Sequence, residues 1–341
     1  MTSDIGGRGR IVTFYSYKGG AGRTMALVNV GWILASAGRR VLVVDWDLEA
    51  PGAHNFLHPL LVDTHLRSTD GLIELVRGYV SEVLRPPAED EPDDGDWLRA
   101  WVRPARYVTG TDLRLSSGGR LDLMPAGRQQ PRYAAAVSTF NWYRFYEALG
   151  GGTLLQTLRG ELTAAYDYVL VDCRAGAAPT VGMCTVALPD DLVACFPYSL
   201  QSIEGTAATA VTAQRSAPRP LRVLPVPMRV EDSERDLLER ARDTAREVFA
   251  PCLSWLVDGD HDRYWGEVET PYRSFYAHEE IPATVGDRPA QPGTLLAAYE
   301  RLTSWISDGT VTSLVPLPEE ERRRLMRAYR DRDPYPDYPS R

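Results

Sequence analysis

The chain has 341 residues, 44% hydrophobic and 25% charged, an ordinary balance for a globular protein long enough to bury a sizeable core. Its 46 acidic residues outnumber 38 lysines and arginines, for a net charge of −8, so a polyanion-binding surface is not the default expectation. The N-terminal MTSDIGGRGR has no apolar stretch of the kind a secretory signal needs, and no run approaches the ~18 apolar residues of a membrane span. A soluble, cytoplasmic protein without a strong membrane anchor is expected. The four cysteines (Cys173, Cys184, Cys195, Cys252) form no C-x-x-C pair and read as small buried hydrophobes in a reducing compartment.

In chain order, IVTFYS (11–16) reads as a strand that ends at glycines. The helix-spaced Met25, Val28, Ile33 and Leu34 follow, with Gly38 expected to cap the helix. VLVVD (41–45) is a continuous apolar run, as expected for a parallel strand buried on both faces. Strand, glycine loop, helix and strand make a βαβ unit. Residues 71–83 read as a helix, 86–96 as an acidic, proline-rich loop or disordered insertion, and RLDLMPAG (120–127) as a strand and its exit. Helices are expected in TFNWYRFYEAL and TLLQTLRGELTAAY, and buried strands in DYVLVD (167–172), DLVACF (191–196) and LRVLPVP (221–227). Residues 203–215 read as a helix, as do 233–250, where Leu237, Leu238, Ala241, Ala245 and Val248 share one side. The aromatic segment 264–276 has no clear assignment, and 293–307 reads as a late helix. The expected fold is α/β, a mostly parallel sheet covered by helices on both faces. One domain is expected over 1–315 with an insertion at about 60–118, followed by a polar tail over 316–341.

In such sheets ligands bind at the carboxyl ends of the strands. The glycine loop, Asp45, Asp47 and Asp172 all fall there. Lys18, inside YSYKGGAGRT, is the only lysine of the sequence. Against the phosphate-loop pattern G-x-x-x-x-G-K-[ST], Tyr17 stands where glycine is required and Arg23 where lysine is required, while Gly22 and Thr24 fit. The physical requirement is still met: Gly19, Gly20 and Gly22 can wrap backbone N–H groups around an anion ahead of a helix N-terminus. Thr24 can give its hydroxyl to Mg²⁺.

KGGAGRT resembles the deviant Walker A loop, K-G-G-x-G-K-[ST], of the MinD/ParA class of P-loop ATPases, in a KGGxGR variant. VLVVDWDLEAPG is similar to that class's second strand and switch I, and YDYVLVDCRAG to its Walker B strand and switch II. The resemblance covers about residues 10–50 and 166–230 and implies a SIMIBI-like P-loop NTPase fold, with ATP and Mg²⁺ as ligands. It implies that Lys18 reaches across a homodimer interface to the partner's phosphates. Lysine is a compact charge on a flexible stem and arginine a planar fork, a reason for lysine to persist in a narrow gap. It also implies that Asp47 orients the attacking water, that Thr24, Asp45 and Asp172 serve Mg²⁺, partly through water, and that Gly176 lets switch II approach the γ-phosphate. Gly19, Gly20, Ala21, Gly22, Arg23, Thr24 and Met25 would cradle the phosphates.

Some assignments stay open. Arg174 stands where proline is frequent in that class and either reaches phosphate or pairs with an acid. Pro227 and Arg229, in PVPMR, are candidates for base contact or simply a turn. His54 and His58, four apart between prolines with no third ligand, read as structural, as do the dense aromatics Trp142, Tyr143, Phe145 and Tyr146. The arginine-rich stretch after Pro316 reads as a solvated helix face. The function expected first is an ATP-dependent dimerising switch that hydrolyses ATP slowly and controls an unidentified partner protein. The alternatives are an ATP-binding scaffold with little turnover and an ATP-dependent DNA-positioning protein, the last disfavoured by net charge.

Overall fold

A computed structural model of the chain describes residues 8–86, 97–176, 179–231, 235–257 and 259–331. The acidic stretch from 87 to 96 and the last residues of the expected tail, from 332 onward, lie outside the described residues. Six strands form one sheet: β1 (Arg10–Tyr15), β2 (Arg40–Asp45), β3 (Arg120–Met124), β4 (Tyr168–Asp172), β5 (Asp191–Phe196) and β6 (Arg222–Pro227). Their order is β3-β2-β4-β1-β5-β6, and every paired neighbour is parallel, so the sheet is wholly rather than mostly parallel among the described residues.

Between β1 and β2 lies α1 (Arg23–Ser36), and between β2 and β3 lie α2 (Ala53–Leu57), α3 (Leu72–Val83) and α4 (Trp97–Trp101). α5 (Tyr133–Ser138), α6 (Trp142–Ala148) and α7 (Gly151–Ala165) precede β4. α8 (Pro179–Gly182) continues into a π-helical turn, Met183–Ala187, before β5, and α9 (Leu200–Ser216) joins β5 to β6. After β6 come α10 (Arg235–Phe249), α11 (Asp260–Val268), α12 (Ser274–His278), α13 (Ala283–Gly286), α14 (Leu295–Ile306) and α15 (Glu319–Arg330).

The crossovers β1→β2→β3 run one way along the sheet and β3→β4→β5→β6 the other. Parallel crossovers are right-handed, so the two series fall on opposite faces. α1 packs on one face with α14 and α11 around it; α7, the π turn, α9 and α10 lie on the other. This doubly covered position explains the unbroken apolar strands: every residue of β5 is buried, as is all of β1 beyond Arg10. It also explains why α1 is buried from Met25 to Ser36 on every side, because α13 and α14 cover the face turned away from the sheet. The Asn29 carboxamide oxygen accepts from the Thr284 N–H at 2.9 Å, tying α1 to α13.

Three details differ from the sequence reading. The helix cap falls on Ala37, with Gly38 one residue beyond at φ 89°. On α10, Leu237 is 56% exposed, and only Ala245 and Phe249 are buried, with the Phe249 ring stacked on Phe196 of β5 at 5.0 Å between centroids. Part of the expected tail is ordered as α15, whose Leu325 and Tyr329 are buried; the Tyr329 hydroxyl donates to the Phe56 carbonyl at 2.5 Å. All four cysteines are free and buried. Burial pushes the Cys195 thiol up to about 12 and the Cys252 thiol up to about 11.

Candidate functional site

The register of the sheet places the acids. Asp172 pairs with Phe14 on one side and Asp45 on the other, so two carboxylates from adjacent strands end level with the exit of β1. There β1 hands over to the glycine loop and α1. Gly20 (φ 74°) and Gly22 (φ 88°) adopt the left-handed conformation that side chains resist, and Gly22 is the N-cap of α1. The Ser16 hydroxyl donates to the Lys18 carbonyl at 2.9 Å and folds the loop's first turn.

Tyr17, in the position the strict pattern gives to glycine, is accommodated from outside the loop. Its ring lies against Gly205 of α9, where a Cβ would come within 2.5 Å of it. The Tyr17 N–H donates to the Thr206 hydroxyl at 3.3 Å. Lys18 is exposed at the rim.

Below the loop is a compact charged cluster. The Thr24 hydroxyl donates to Asp172 Oδ2 at 2.6 Å, and Arg23 Nε donates to Asp172 Oδ1 at 2.5 Å. Arg23 Nη2 also reaches Asp47 Oδ2 at 2.9 Å. The sequence reading directs Arg23 to phosphate; the guanidinium instead lies between the two carboxylates, and its side chain is 8% exposed. Burial disfavours its charge, but Asp172, ahead of Asp47, outweighs burial and makes the guanidinium harder to deprotonate. Burial raises the Asp47 carboxyl above its ordinary range even though Arg23 draws it down.

Asp45 is buried deeper. Burial first, then the Asp172 charge, pushes its carboxyl well above the ordinary range. Its oxygens accept from the N–H groups of Gly52 and Ala53, both at 3.1 Å, and of Asp47 at 3.3 Å. Asp45 thus organises the loop that carries Asp47 and opens α2. Gly176 has φ 93°, and its carbonyl accepts from the Tyr15 hydroxyl at 3.0 Å. Arg174 pairs with Glu49, which links the loop after β4 to the loop after β2.

A cavity of about 420 Å³ opens over the loop, lined by Gly19 to Met25, Asp47, Phe56 and Arg229 among others. Its far wall is the segment with no sequence assignment: Thr270, Pro271, Tyr272, Arg273 and Tyr276. Backbone bonds to the exit of β6 hold it there: Thr270 N–H to the Pro227 carbonyl (2.9 Å), Val230 N–H to Thr270 (3.0 Å) and Tyr272 N–H to Val230 (2.9 Å). Pro227 is buried outside the lining, whereas Arg229 (φ 56°) donates to the Gly20 carbonyl at 2.9 Å and lies 4.9 Å from the Tyr272 ring centroid. The sequence signal for this wall was the density of aromatics in 264–276, which has no pattern by itself.

The donor set suits Mg²⁺, which prefers oxygens and keeps several waters. Thr24 and Asp47 line the cavity, and Asp172, hydrogen-bonded to Thr24, adds a second carboxylate behind them. Among the described residues no group of three or more His, Cys, Asp or Glu is arranged to hold a metal, so the remaining ligands would be phosphate oxygens and water. No helix among the described residues is long and apolar enough to cross a membrane.

Comparison with known proteins agrees with this geometry. The model of the CobQ/CobB/MinD/ParA nucleotide binding domain matches residues 12–259. The sporulation initiation inhibitor protein Soj of Bacillus subtilis (strain 168) is 24% identical over 178 residues, 52% of this chain and 53% of Soj. The chain thus spans about half the length of the curated relative it matches. Among solved structures, the septum site-determining protein MinD from Pyrococcus horikoshii OT3, complexed with Mg-ADP, superposes with a TM-score of 0.51 at 19% identity, covering 88% of this chain and 98% of that one. A chain of the MinC:MinD cell division protein complex of Aquifex aeolicus gives 0.50 at 16% identity, covering 91% of this chain and 98% of that one. These likenesses establish a shared P-loop fold, and the match over residues 12–259 establishes the family: the chain belongs to the CobQ/CobB/MinD/ParA nucleotide-binding family, on its MinD/ParA side.

Proposed function

We propose that the protein is an ATP- and Mg²⁺-dependent switch that pairs with a second copy of itself when ATP is bound and hydrolyses ATP slowly to control a partner protein. One observation carries the reading. The KGGAGRT loop leaves β1, turns through two left-handed glycines into α1, and is pinned by the Thr24–Asp172 hydrogen bond of 2.6 Å to the end of β4. That arrangement joins an anion cradle to a carboxylate suited to a hard cation.

Phosphoryl transfer asks the protein mainly for positioning and charge neutralisation. Gly19 to Thr24 would hold the phosphates, and Thr24 and Asp172 would hold Mg²⁺, which shields the phosphate charge when bound. Asp47, at the cavity edge, would orient water. The deeply buried Asp45 would act indirectly, by holding the Asp47 loop. Tyr272 and Arg229 stand on the wall where a base would lie. The exposure of Lys18 supports a role toward a second subunit. Mg-ADP in the P. horikoshii MinD and MinC in the A. aeolicus assembly support the choice of ligand and of a protein partner.

The test is light scattering with and without ATP and Mg²⁺, alongside phosphate release, for the wild type and Lys18→Ala. The expected result is a doubled mass with ATP, lost in Lys18→Ala, and slow phosphate release. A mass indifferent to nucleotide in both proteins would overturn the switch. A scaffold without turnover is the second reading, favoured by the Arg23–Asp47 contact of 2.9 Å, which occupies the carboxylate needed for water. It predicts the doubled mass with no phosphate released above background.

A further inference from the structure

The loop position that usually sends a cation upward to phosphate sends one downward here. Arg23 is the first residue of α1, and its planar fork spans two carboxylates from different strand ends, Nε on Asp172 and Nη2 on Asp47. Its remaining nitrogen lies 3.4 Å from the Ser16 hydroxyl. The other Asp172 oxygen is taken by Thr24. Both Asp172 oxygens therefore already accept a hydrogen bond, as do both of Asp47, whose Oδ1 takes the Ala50 N–H at 3.4 Å, while Thr24 gives only its hydrogen and keeps its oxygen lone pairs. A lysine, with one nitrogen, could not bridge the pair in this way.

We propose that Arg23 is a resident cation of the metal position: it neutralises Asp47 and Asp172 in the nucleotide-free protein and competes with Mg²⁺ for them. The inference rests on the nucleotide reading of the cleft and names a regulation of it. A buried carboxylate, Asp172, beside a half-buried one, Asp47, would without a counter-charge repel a polyphosphate and draw in a divalent ion. With Arg23 between them, free Mg²⁺ gains little by entering. Nucleotide then binds with weak dependence on Mg²⁺, and the carboxylates become available to the metal only as Arg23 turns from them toward phosphate.

The experiment uses the full chain and the variants Arg23→Gln and Arg23→Lys. The first readout is thermal unfolding with Mg²⁺ alone, with NaCl of matched ionic strength as control. The wild-type midpoint should be flat across millimolar Mg²⁺. The midpoint of Arg23→Gln should be lower in chelator and rise with Mg²⁺ but not with NaCl, as specific binding to the folded state requires. The second readout is the ratio of a fluorescent ADP analogue's Kd in chelator to that in Mg²⁺. It should grow by about tenfold or more from wild type to Arg23→Gln, the linkage expected when an internal cation is removed. If Arg23→Gln does not fold, Arg23→Lys, which keeps the charge but cannot span both acids, should show the same changes at smaller size. Equal Mg²⁺ responses and equal ratios in wild type and variants would overturn the proposal and leave nucleotide binding standing. Absence of nucleotide binding in every buffer would overturn the nucleotide reading, while the response to Mg²⁺ alone would still decide the role of Arg23.

Discussion

At the scale of single residues, carboxylates in this molecule do two kinds of work. Asp47 and Asp172 face a cation, whereas Asp45 and Asp63 hold backbone. Asp63 accepts from the N–H groups of Arg67, Ser68 and Thr69 and from the hydroxyls of Ser68 and Thr69, at 2.7 to 3.2 Å. Burial works against its charge, but the bonds from Ser68 and Thr69 outweigh that and hold the carboxyl below its ordinary range. A depressed pKa contributes stability that is present at neutral pH and lost as pH falls from the ordinary value of 3.8 toward the lowered one. Asp63→Asn is therefore expected to cost about 1–2 kcal/mol at pH 7. The gap to wild type should narrow below about pH 4, which unfolding curves taken from pH 7 to 3 would show; a gap independent of pH would refute the assignment. The sequence made Lys18, Asp47 and Asp172 conspicuous, because each stands at a fixed offset inside a motif. It could not reveal where the Arg23 guanidinium points, since its partners lie 24 and 149 residues away and the choice between phosphate and carboxylate is made by packing.

At the scale of elements, unbroken apolar runs located the buried strands and helical spacing the long helices, because strands of a doubly covered parallel sheet are buried on both faces. Pattern was weakest where an element is short or half exposed. The 264–276 segment divides into the end of α11, a single bridge at Pro271 and the five-residue α12, none long enough to show a period. Yet its path beside β6 builds the far wall of the cavity. The Tyr17 departure has a similar explanation: the large side chain in the loop is matched by a missing one on α9. Gly205→Ala should drive a methyl group into the Tyr17 ring and cost about 1–3 kcal/mol, as overpacking does. Because Tyr17 precedes the cradle directly, nucleotide affinity should fall as well. Calorimetric titration of ADP into Gly205→Ala and into the double variant Gly205→Ala/Tyr17→Ala checks this; an Ala/Ala protein that binds no better than Gly205→Ala would sink the account.

At the scale of the whole molecule, the reversal of strand order concentrates the chemistry. Crossovers leave in opposite directions around β1 and β4, and the glycine loop, Asp172 and the Asp45–Asp47 loop meet in the resulting crevice. This convergence was legible from the motif order alone; the closing of the crevice by residues beyond β6, and the docking of α15 against Phe56, required the structure. In the proposed dimer Lys18 serves the other subunit's site, which gives a prediction specific to its chemistry. Lys18→Arg keeps the charge but replaces a slender ammonium with a wide fork. It should retain nucleotide affinity in the monomer and lose the ATP-dependent doubling of mass, measured by light scattering beside Lys18→Ala. A Lys18→Arg protein that dimerises like wild type would remove the geometric reason for a lone lysine.

The four sequestered sulfurs have a practical corollary. A thiol with a pKa near 12 is ionised to roughly one part in 10⁵ at neutral pH, and reagents that alkylate thiols require both the anion and a path to it. The native chain should thus be silent toward maleimide dyes while folded. A cysteine introduced at a solvent-facing position, such as Tyr143→Cys on α6, would be the site of labelling without removal of any natural residue in the core. Donor and acceptor dyes on separate batches would then report the meeting and parting of two subunits in real time, through each round of nucleotide addition and exhaustion.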